Sequence, residues 1–209
     1  MAKKALKIKI GIDEVGRGPL AGPVVACAAC SRRLYFPGRF LKEVKDSKKM
    51  SPKKREEIFK VLKKCPRVEW GIGRVSEKVI DRINILEATK LAMKRAVNNL
   101  EKKLPLDKGC GNGLTVEKFL LIDGNFGINL NVHQKSIIKG DEKIFLIKVA
   151  SIAAKVTRDR LMAKYHKKYP QYGFDKHKGY GTLLHLEMLR NYGPCSLHRK
   201  SFRPVKEML

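Results

Sequence analysis

The chain opens with apolar residues that alternate with lysine or glycine from Leu6 to Ile12. A period of two predicts a β-strand with one face toward a core. A second apolar segment, from about Val24 to Cys30, and a third, from Val68 to Val75, predict two further strands. Because these strands are joined by short links, the pattern predicts an antiparallel meander before the chain turns helical.

Helical signals follow. Ser51 and Pro52 predict a helix start, because serine caps a helix and proline fits its first position. Asn84 predicts the cap of a long helix. Its predicted buried face carries Leu86, Leu91, Met93, Val97 and Leu100. From about Glu142 to Lys168 the pattern is helical again, with small residues at 150–154 that allow close approach to a sheet.

The segment between these two helices predicts further strands. Phe119 to Ile122 is wholly apolar, as expected for a strand in the middle of a sheet with both faces covered. Val132 to Ile138 predicts another strand, and Leu104 to Gly113 a surface loop. The final residues are glycine-broken and aromatic, so we divide the chain into an α/β core at 1–170 and a C-terminal helical segment at 171–209.

Basic residues outnumber acidic ones by 46 to 20, which gives a formal net charge of +26. Such a surface attracts polyanions, and nucleic acid is the commonest of them. The same charge could serve solubility alone. A membrane partner is not expected, since no apolar run approaches the length of a membrane span and no basic amphipathic helix stands out.

The five cysteines are scattered along the chain. Cys27 and Cys30 have CxxC spacing, but they lie in a predicted buried strand and no second pair completes a zinc site. We therefore interpret them as small core residues. The N-terminus enters the first strand without an export signal, and reduced thiols agree with the cytoplasmic location that we expect.

Four acids stand where a predicted strand ends or a predicted helix begins: Asp13, Glu14, Asp123 and Asp141. Each alone has an ordinary explanation, as a solvated pair, a turn residue or a helix cap. However, carboxylates from several strand ends can converge at one edge of an α/β sheet. The four acids together are therefore a candidate cluster.

Clustered carboxylates repel one another and take up protons unless cations are bound. Magnesium suits them, because it binds a few carboxylates together with water and substrate phosphates. Two such ions, about 3.5–4 Å apart, can stabilise both the attacking and the leaving oxygen of a phosphodiester displacement. With the positive surface, the acids predict a metal-dependent nuclease.

Two loops could contact phosphate. Gly16, Arg17 and Gly18 follow the acid pair directly, where glycines allow close backbone approach and Arg17 can reach a phosphate or an acid. Ser47 and Lys48 precede a helix start and could form a phosphate platform, although an ordinary polar loop explains them equally well.

Late in the chain, Tyr180 lies on a basic, glycine-rich loop, where it could stack on a sugar or base or simply belong to a turn. The histidines at 133, 166, 185 and 198 are far apart along the chain and suggest no zinc or triad site. Lys155, Arg158 and Asp159 are expected to form a packing and ion-pair set on the last long helix.

The segment from Ile10 to Ala26 resembles the signature of ribonuclease HII. Further blocks, at 46–49, 121–125, 139–141, 150–159 and 177–180, recur in that family's order, and the tail at 192–194 and 198–202 is similar to the bacterial type. Val15 and Met50 stand where alanine and leucine are common. The loop at 107–113 has no counterpart that we can assign, and we interpret it as an exposed insertion.

This resemblance implies a ribonuclease H-like fold, with a mixed central sheet, flanking helices and a C-terminal helical segment that contributes to substrate binding. It implies an endoribonuclease that cleaves the RNA strand of RNA–DNA hybrids, including 5′ of a single ribonucleotide embedded in duplex DNA. The products would carry 3′-hydroxyl and 5′-phosphate ends, and the activity would serve ribonucleotide removal in DNA replication and repair. The expected cofactor is Mg2+ or Mn2+, and the expected state is a monomer.

The resemblance also implies roles for particular residues. Asp13, Glu14, Asp123 and Asp141 match the four metal-binding acids of the family. Residues 16–18 match the segment that senses the ribose 2′-hydroxyl, largely through the backbone. Tyr180 matches the aromatic residue that packs on the neighbouring deoxyribose, and Ser47 and Lys48 join the expected substrate-binding residues.

Two alternatives remain. Another nuclease of the same fold, such as a junction resolvase or an ordinary hybrid ribonuclease, has no reason to combine the segments at 16–18 and 177–180. A non-catalytic basic nucleic-acid-binding protein would bind without metal and would tolerate replacement of each acid.

Overall fold

A computed structural model of the protein describes residues 6–31, 50–104 and 116–209. Within these residues five strands form one sheet in the order β3-β2-β1-β4-β5. The strands are β1 (Leu6–Val15), β2 (Val24–Ser31), β3 (Val68–Val75), β4 (Val116–Asp123) and β5 (His133–Ile137). Strands β1 to β3 form the predicted antiparallel meander, whereas β4 runs parallel to both β1 and β5. The sheet is therefore mixed, as expected.

Helices cover both faces of this sheet. They are α1 (Pro52–Lys64), α2 (Glu77–Glu101), α3 (Gly140–Lys143), α4 (Phe145–Lys168), α5 (Phe174–His177) and α6 (Leu183–Tyr192). Helix α2 packs on one face, and α1 and α4 pack on the other, so that two clusters of buried apolar residues sandwich the sheet. No helix among the described residues is both long and apolar enough to cross a membrane.

Both predicted helix caps are present. The Ser51 hydroxyl accepts a hydrogen bond from the Lys54 N–H at the start of α1. Asn84 has φ 63° and ψ 170°, and its side-chain oxygen accepts from the N–H groups of Leu86 and Glu87. The structure adds a helical segment before this cap, because α2 begins at Glu77 and is kinked at Asn84.

Two burial predictions are partly wrong. On α2, Met93, Val97 and Leu100 are buried, but Leu86 in the first turn after the kink is 37% exposed. On β4, which lies between β1 and β5, Phe119 is also 37% exposed. The reason is that α4 packs mainly on β1 and β2 and leaves part of β4 uncovered.

Strand β3 is an edge strand, and side chains of α2 bond to its outer carbonyls. Arg95 donates to Arg74 O at 2.7 Å, Asn99 to Ile72 O at 2.9 Å and Lys103 to Trp70 O at 2.8 Å. The four-residue spacing places the three donors on one face of the helix. Glycines at 71 and 73 make the close approach possible, since a Cβ atom there would lie about 2 Å from the α2 backbone.

The C-terminal residues pack around a third buried cluster, which includes Leu20, Met162, Phe174 and Leu189. Backbone hydrogen bonds tie these residues to the loop after β1. Leu20 N–H donates to Gly179 O, and Arg199 N–H donates to Leu20 O, each at 2.8 Å. The loop after β1 is therefore held between the sheet and the C-terminal segment.

Candidate active site

Three of the predicted acids meet at one edge of the sheet. Strands β1 and β4 are parallel neighbours, with Ile12 opposite Ile122, so that Asp13 and Asp123 leave the sheet side by side. Asp141 lies in α3, just after β5, which is the parallel neighbour of β4. Ligand oxygens from Asp13, Asp123 and Asp141 all lie within 4.8 Å of one another.

Close packing fixes these carboxylates. The Gly140 N–H donates to Asp123 Oδ1 at 2.7 Å, and a Cβ atom at Gly140 would lie 2.6 Å from the side chain of Ile147. Gly11 on β1 faces the first turn of α4, and a Cβ there would lie 2.3 Å from the Leu146 carbonyl carbon. The two glycines therefore let α3 and α4 lie directly on the strand ends.

Asp13 is buried at the end of β1. Its side chain is only 5% exposed, and it accepts hydrogen bonds from the Glu14 N–H, at 2.7 Å, and from the Ser151 side chain. Burial, followed by the charges of Glu14 and Asp123, holds the pKa of Asp13 well above its ordinary value. The neighbouring carboxylates therefore disfavour the charged form of Asp13, and a bound cation would favour it instead.

This donor set fits a hard divalent cation. Three carboxylates can offer oxygen ligands to one point in space, and Asp13 and Asp141 are both buried. Oxygen-only ligands with a high negative charge are what Mg2+ and Mn2+ prefer.

Glu14 lies beside the three-acid group. Successive side chains of a strand point to opposite faces, so Glu14 and Asp13 diverge. Burial raises the pKa of Glu14, and the charge of Arg17 partly offsets this effect. Arg17 Nη1 lies 3.4 Å from Glu14 Oε1, and its guanidinium lies over the ring of Phe126. The structure thus brings three of the four acids within coordinating distance and places the fourth at their margin.

Asp141 is not the helix cap that its ordinary explanation requires. The residue at the cap position of α3 is Lys139, which has a left-handed backbone, and Asp141 lies in the first turn. Its carboxylate is directed to the other two acids, because it belongs to the group whose ligand oxygens lie within 4.8 Å.

The structure also brings residues 16–18 and Tyr180 together. Gly16 has φ +93°, a conformation that favours glycine, and Gly18 is exposed. A Cβ atom at Gly18 would lie 3.8 Å from Tyr180 Cε1, and Tyr180 itself is 42% exposed. Ser47 and Lys48, as well as the loop at 107–113, lie outside the described residues.

Two of the histidines that are separated along the chain meet in the folded protein, which the sequence pattern did not predict. His185 and His198 are both buried, and their Nε2 atoms are 3.0 Å apart. Chain folding over the third buried cluster brings them together, and His177 stacks on His185 with ring centroids 4.3 Å apart. Burial lowers the pKa of both His185 and His198 to about 4, so both are neutral at pH 7.

Their hydrogen bonds define the tautomers. The Tyr180 carbonyl can only accept, so His185 Nδ1 donates to it at 2.9 Å. The bare Nε2 of His185 then accepts from Nε2–H of His198, whose Nδ1 accepts from the Cys195 N–H at 2.9 Å. A chain of three hydrogen bonds thus runs from Cys195 to the backbone of Tyr180.

Sequence reasoning also missed two buried arginines. Lys155 and Asp159 form the expected ion pair at 2.8 Å, but Arg158 bonds to backbone carbonyls instead. Its signal in the sequence is its place in line with Ala150, Ala154 and Met162, an apolar stripe at four-residue spacing. Arg199 is buried in the same region.

Known proteins match this chain over nearly its whole length. The family model of ribonuclease HII matches residues 10–205. A ribonuclease HII of Chlamydia trachomatis serovar A is 49% identical over 199 residues, covering 95% of this chain and 83% of that relative. A ribonuclease HII of Chlamydia abortus is 50% identical over 198 residues, covering 95% and 85%.

The fold agrees with a solved structure, the PCNA:RNase HII complex from Archaeoglobus fulgidus. It matches with a TM-score of 0.73 and 25% identity over 94% of this chain and 95% of that one. The acids at the parallel strand ends lie inside the region that the family model covers. The chain therefore belongs to the ribonuclease HII family and is a metal-dependent ribonuclease H of type 2.

Proposed function

We propose that this enzyme cleaves the RNA strand of RNA–DNA hybrids and also cuts duplex DNA on the 5′ side of a single embedded ribonucleotide. The products carry 3′-hydroxyl and 5′-phosphate ends, and the reaction serves ribonucleotide removal in DNA replication and repair. One observation carries the proposal. The three-carboxylate group lies at the end of the strand that leads into the loop at 16–18, where Arg17 and Gly18 are exposed, and a Cβ atom at Gly18 would lie 3.8 Å from the ring of Tyr180.

Asp13, Asp123 and Asp141 would hold the divalent metal, Mg2+ or Mn2+, with Glu14 completing the coordination from the margin. Two bound ions would lower the pKa of the attacking water and stabilise the departing 3′-oxygen. The chain keeps the ligands ready for this. Gly140 N–H orients Asp123, Glu14 N–H and Ser151 orient Asp13, and Arg17 restrains Glu14.

Residues 16–18 recognise the ribose. The 2′-hydroxyl is the group that distinguishes RNA from DNA at one sugar. A backbone N–H can bond to this hydroxyl whatever base the sugar carries. The Arg17 side chain is engaged by Glu14 and Phe126, which leaves the backbone of this loop for the substrate. Tyr180 packs on the neighbouring deoxyribose.

The division of labour follows the chain. Residues 1–170 form the catalytic core, and residues 171–209 contribute Tyr180 and the groups that hold it. Ser47 and Lys48 bind a substrate phosphate. The enzyme works as a monomer on a substrate that its net charge of +26 attracts.

A labelled duplex with one embedded ribonucleotide tests the proposal. The enzyme is assayed with Mg2+, with Mn2+ and with excess chelator, and an all-DNA duplex and a long RNA–DNA hybrid serve as companion substrates. We expect metal-dependent cleavage on the 5′ side of the embedded ribonucleotide and metal-dependent cleavage of the RNA strand of the hybrid. The all-DNA duplex should not be cleaved. Cleavage on the 3′ side, equal cleavage of all-DNA duplex, or binding without cleavage in either metal would overturn the proposal.

A further inference from the structure

Two buried arginines lie beneath the loop that follows β1. Arg158 and Arg199 are each 0% exposed and are among the largest fully buried side chains. Within residues 6–31, 50–104 and 116–209, every hydrogen bond from their guanidinium groups ends on a backbone carbonyl. Burying a charge costs free energy, and hydrogen bonds must replace the lost contacts with water. The pair therefore needs an explanation beyond filling space.

Arg199 bonds to the loop just after the acid pair. It donates to Gly16 O at 2.6 Å, to Arg17 O at 2.8 Å and to Gly22 O through two nitrogens. Donor and acceptors are more than 170 residues apart in sequence, so that the contact depends on docking of the C-terminal segment.

These bonds determine where the loop N–H groups point. In a planar trans peptide the C=O of one residue and the N–H of the next point in opposite directions. Because the carbonyls of Gly16 and Arg17 face Arg199, the N–H groups of Arg17 and Gly18 are turned away from it. Arg17 and Gly18 are exposed. Arg199 thus presents two backbone donors at the surface beside Tyr180.

Arg158 joins this loop to the loop that carries Tyr180. It donates to Pro23 O at 3.0 Å, Ala21 O at 3.1 Å and Lys178 O at 2.9 Å. A Cβ atom at Gly16 would lie 2.2 Å from Arg158 Nε, so the loop rests directly on this guanidinium. The spacing between residues 16–18 and Tyr180 is therefore set by Arg158 together with the backbone hydrogen bond from Leu20 N–H to Gly179 O.

We propose that Arg158 and Arg199 are positioning residues that set the selectivity of the enzyme for a 2′-hydroxyl, by orienting the N–H donors of Arg17 and Gly18 and fixing their spacing from Tyr180. This inference rests on the proposed function, since it assigns the backbone of residues 16–18 to the ribose. Neither arginine contacts the reacting atoms. Their effect passes through the peptide planes that they hold.

The test uses Arg199→Lys and Arg158→Lys, with Arg160→Lys as the matched control. Lysine keeps the charge but cannot reproduce the planar set of donors. Arg160 lies on the same helix as Arg158, is exposed and pairs with Glu56. Each enzyme is assayed on two duplexes that differ at one sugar, a ribonucleotide and its 2′-deoxy-2′-fluoro analogue, and kcat and KM are measured separately.

We expect Arg199→Lys and Arg158→Lys to lower kcat for the ribonucleotide duplex by about 10- to 100-fold, the loss that one or two charge-assisted hydrogen bonds would cause. In the same two variants, the ratio of kcat/KM for the ribonucleotide duplex to kcat/KM for the fluoro analogue should also fall, while their affinity for Mg2+ is unchanged. The Arg160→Lys control should behave like the unaltered enzyme in all of these measurements. Equal losses on both duplexes, with the ratio unchanged, would show a merely structural role and overturn the inference.

A second measurement covers the case in which the lysine variants unfold. Hydrogen exchange at the N–H groups of Arg17 and Gly18 is followed in Asp13→Asn, which is expected to bind without cutting. Ribonucleotide duplex should slow both exchanges, and all-DNA duplex should not. Unchanged exchange would refute the inference. If instead the unaltered enzyme does not distinguish ribonucleotide from all-DNA duplex, the proposed function itself fails.

Discussion

Two groups of polar side chains, buried except for the half-buried Asp123, lie near the loop at 16–23, and they are stabilised in opposite ways. Asp13, Asp123 and Asp141 present like charges to one another, and this repulsion contributes to the raised pKa of Asp13. Arg158, Arg199 and the two buried histidines instead donate to backbone carbonyls or bond to each other. The first group would be stabilised by a divalent cation that the carboxylates bind. The second group is satisfied by hydrogen bonds within the chain and holds the loops that carry residues 16–23 and Tyr180.

The largest expected effect separates the two groups by chemistry. Asp13→Asn should lower the single-turnover cleavage rate by about 1,000-fold or more, because metal ions supply several kcal/mol of transition-state stabilisation. Duplex binding, measured by fluorescence anisotropy, should change little. Asp159→Asn, which alters an acid paired with Lys155, is the matched control and should keep its activity. Comparable losses in both variants would remove the distinction between the groups.

The second group should reveal itself through pH. Both His185 and His198 have pKa values lowered from 6.5 to about 4, so the unfolded chain binds more protons than the folded one between these values. Their contribution is fully present above pH 6.5 and is lost as the pH falls toward 4. The free energy of unfolding should fall by on the order of 3 kcal/mol per histidine over this range.

Denaturant unfolding at a series of pH values measures that slope. His198→Gln should reduce the slope of the free energy of unfolding against pH by the contribution of about one proton, because one titrating group is removed. His133→Gln, which replaces an exposed histidine on β5, should leave it unchanged. An equal slope in all three proteins would mean that the buried pair does not remain neutral in the folded state.

Tyr180 lies beside Gly18, and its carbonyl accepts a hydrogen bond from His185; a smaller effect is expected from changing its ring. Tyr180→Ala should raise the KM for the ribonucleotide duplex by about 5- to 100-fold, the range that loss of one aromatic stacking contact gives. Tyr180→Phe keeps the ring and the backbone carbonyl that accepts from His185, so it should resemble the unaltered enzyme. If both variants kept the original KM, the aromatic ring would have no part in binding.

The smallest expected effect is the change in the free energy of unfolding when Asp13 is replaced. The raised pKa of Asp13 means that its contribution to stability is present below its ordinary value of 3.8 and is lost as the pH rises through the folded value. At pH 7 without metal, Asp13→Asn should therefore stabilise the fold. Thermal unfolding with and without Mg2+ measures this. Magnesium should raise the Tm of the unaltered protein more than that of the variant.

The sequence predicted what short-range patterns determine. Alternation of apolar residues predicted β1, Ser51 and Asn84 are caps as expected, and the strand-end positions of Asp13 and Asp123 predicted their convergence. Each of these depends on residues a few positions apart, or on the rule that parallel strands end at the same edge.

What the sequence did not predict depends on distant segments. Arg199 bonds to carbonyls 177 to 183 residues away, and His185 meets His198 only because α6 folds back over the C-terminal cluster. Neither contact has a spacing signature. The start of α2 at Glu77 was missed for a different reason, since Asn84 interrupts the helical pattern with a left-handed residue.

The side chains that bond to the outer carbonyls of β3 have a consequence for molecules crowded on a polyanion. A basic enzyme gathers along duplex DNA, where neighbouring copies reach a high local concentration. An open sheet edge in that setting would act as a template for strand addition between copies. Arg95, Asn99 and Lys103 occupy that hydrogen-bonding row from within the molecule and bring cationic side chains to it. Cationic side chains, which favour contact with a polyanion, thus also cover the sheet edge that could otherwise pair with a second copy.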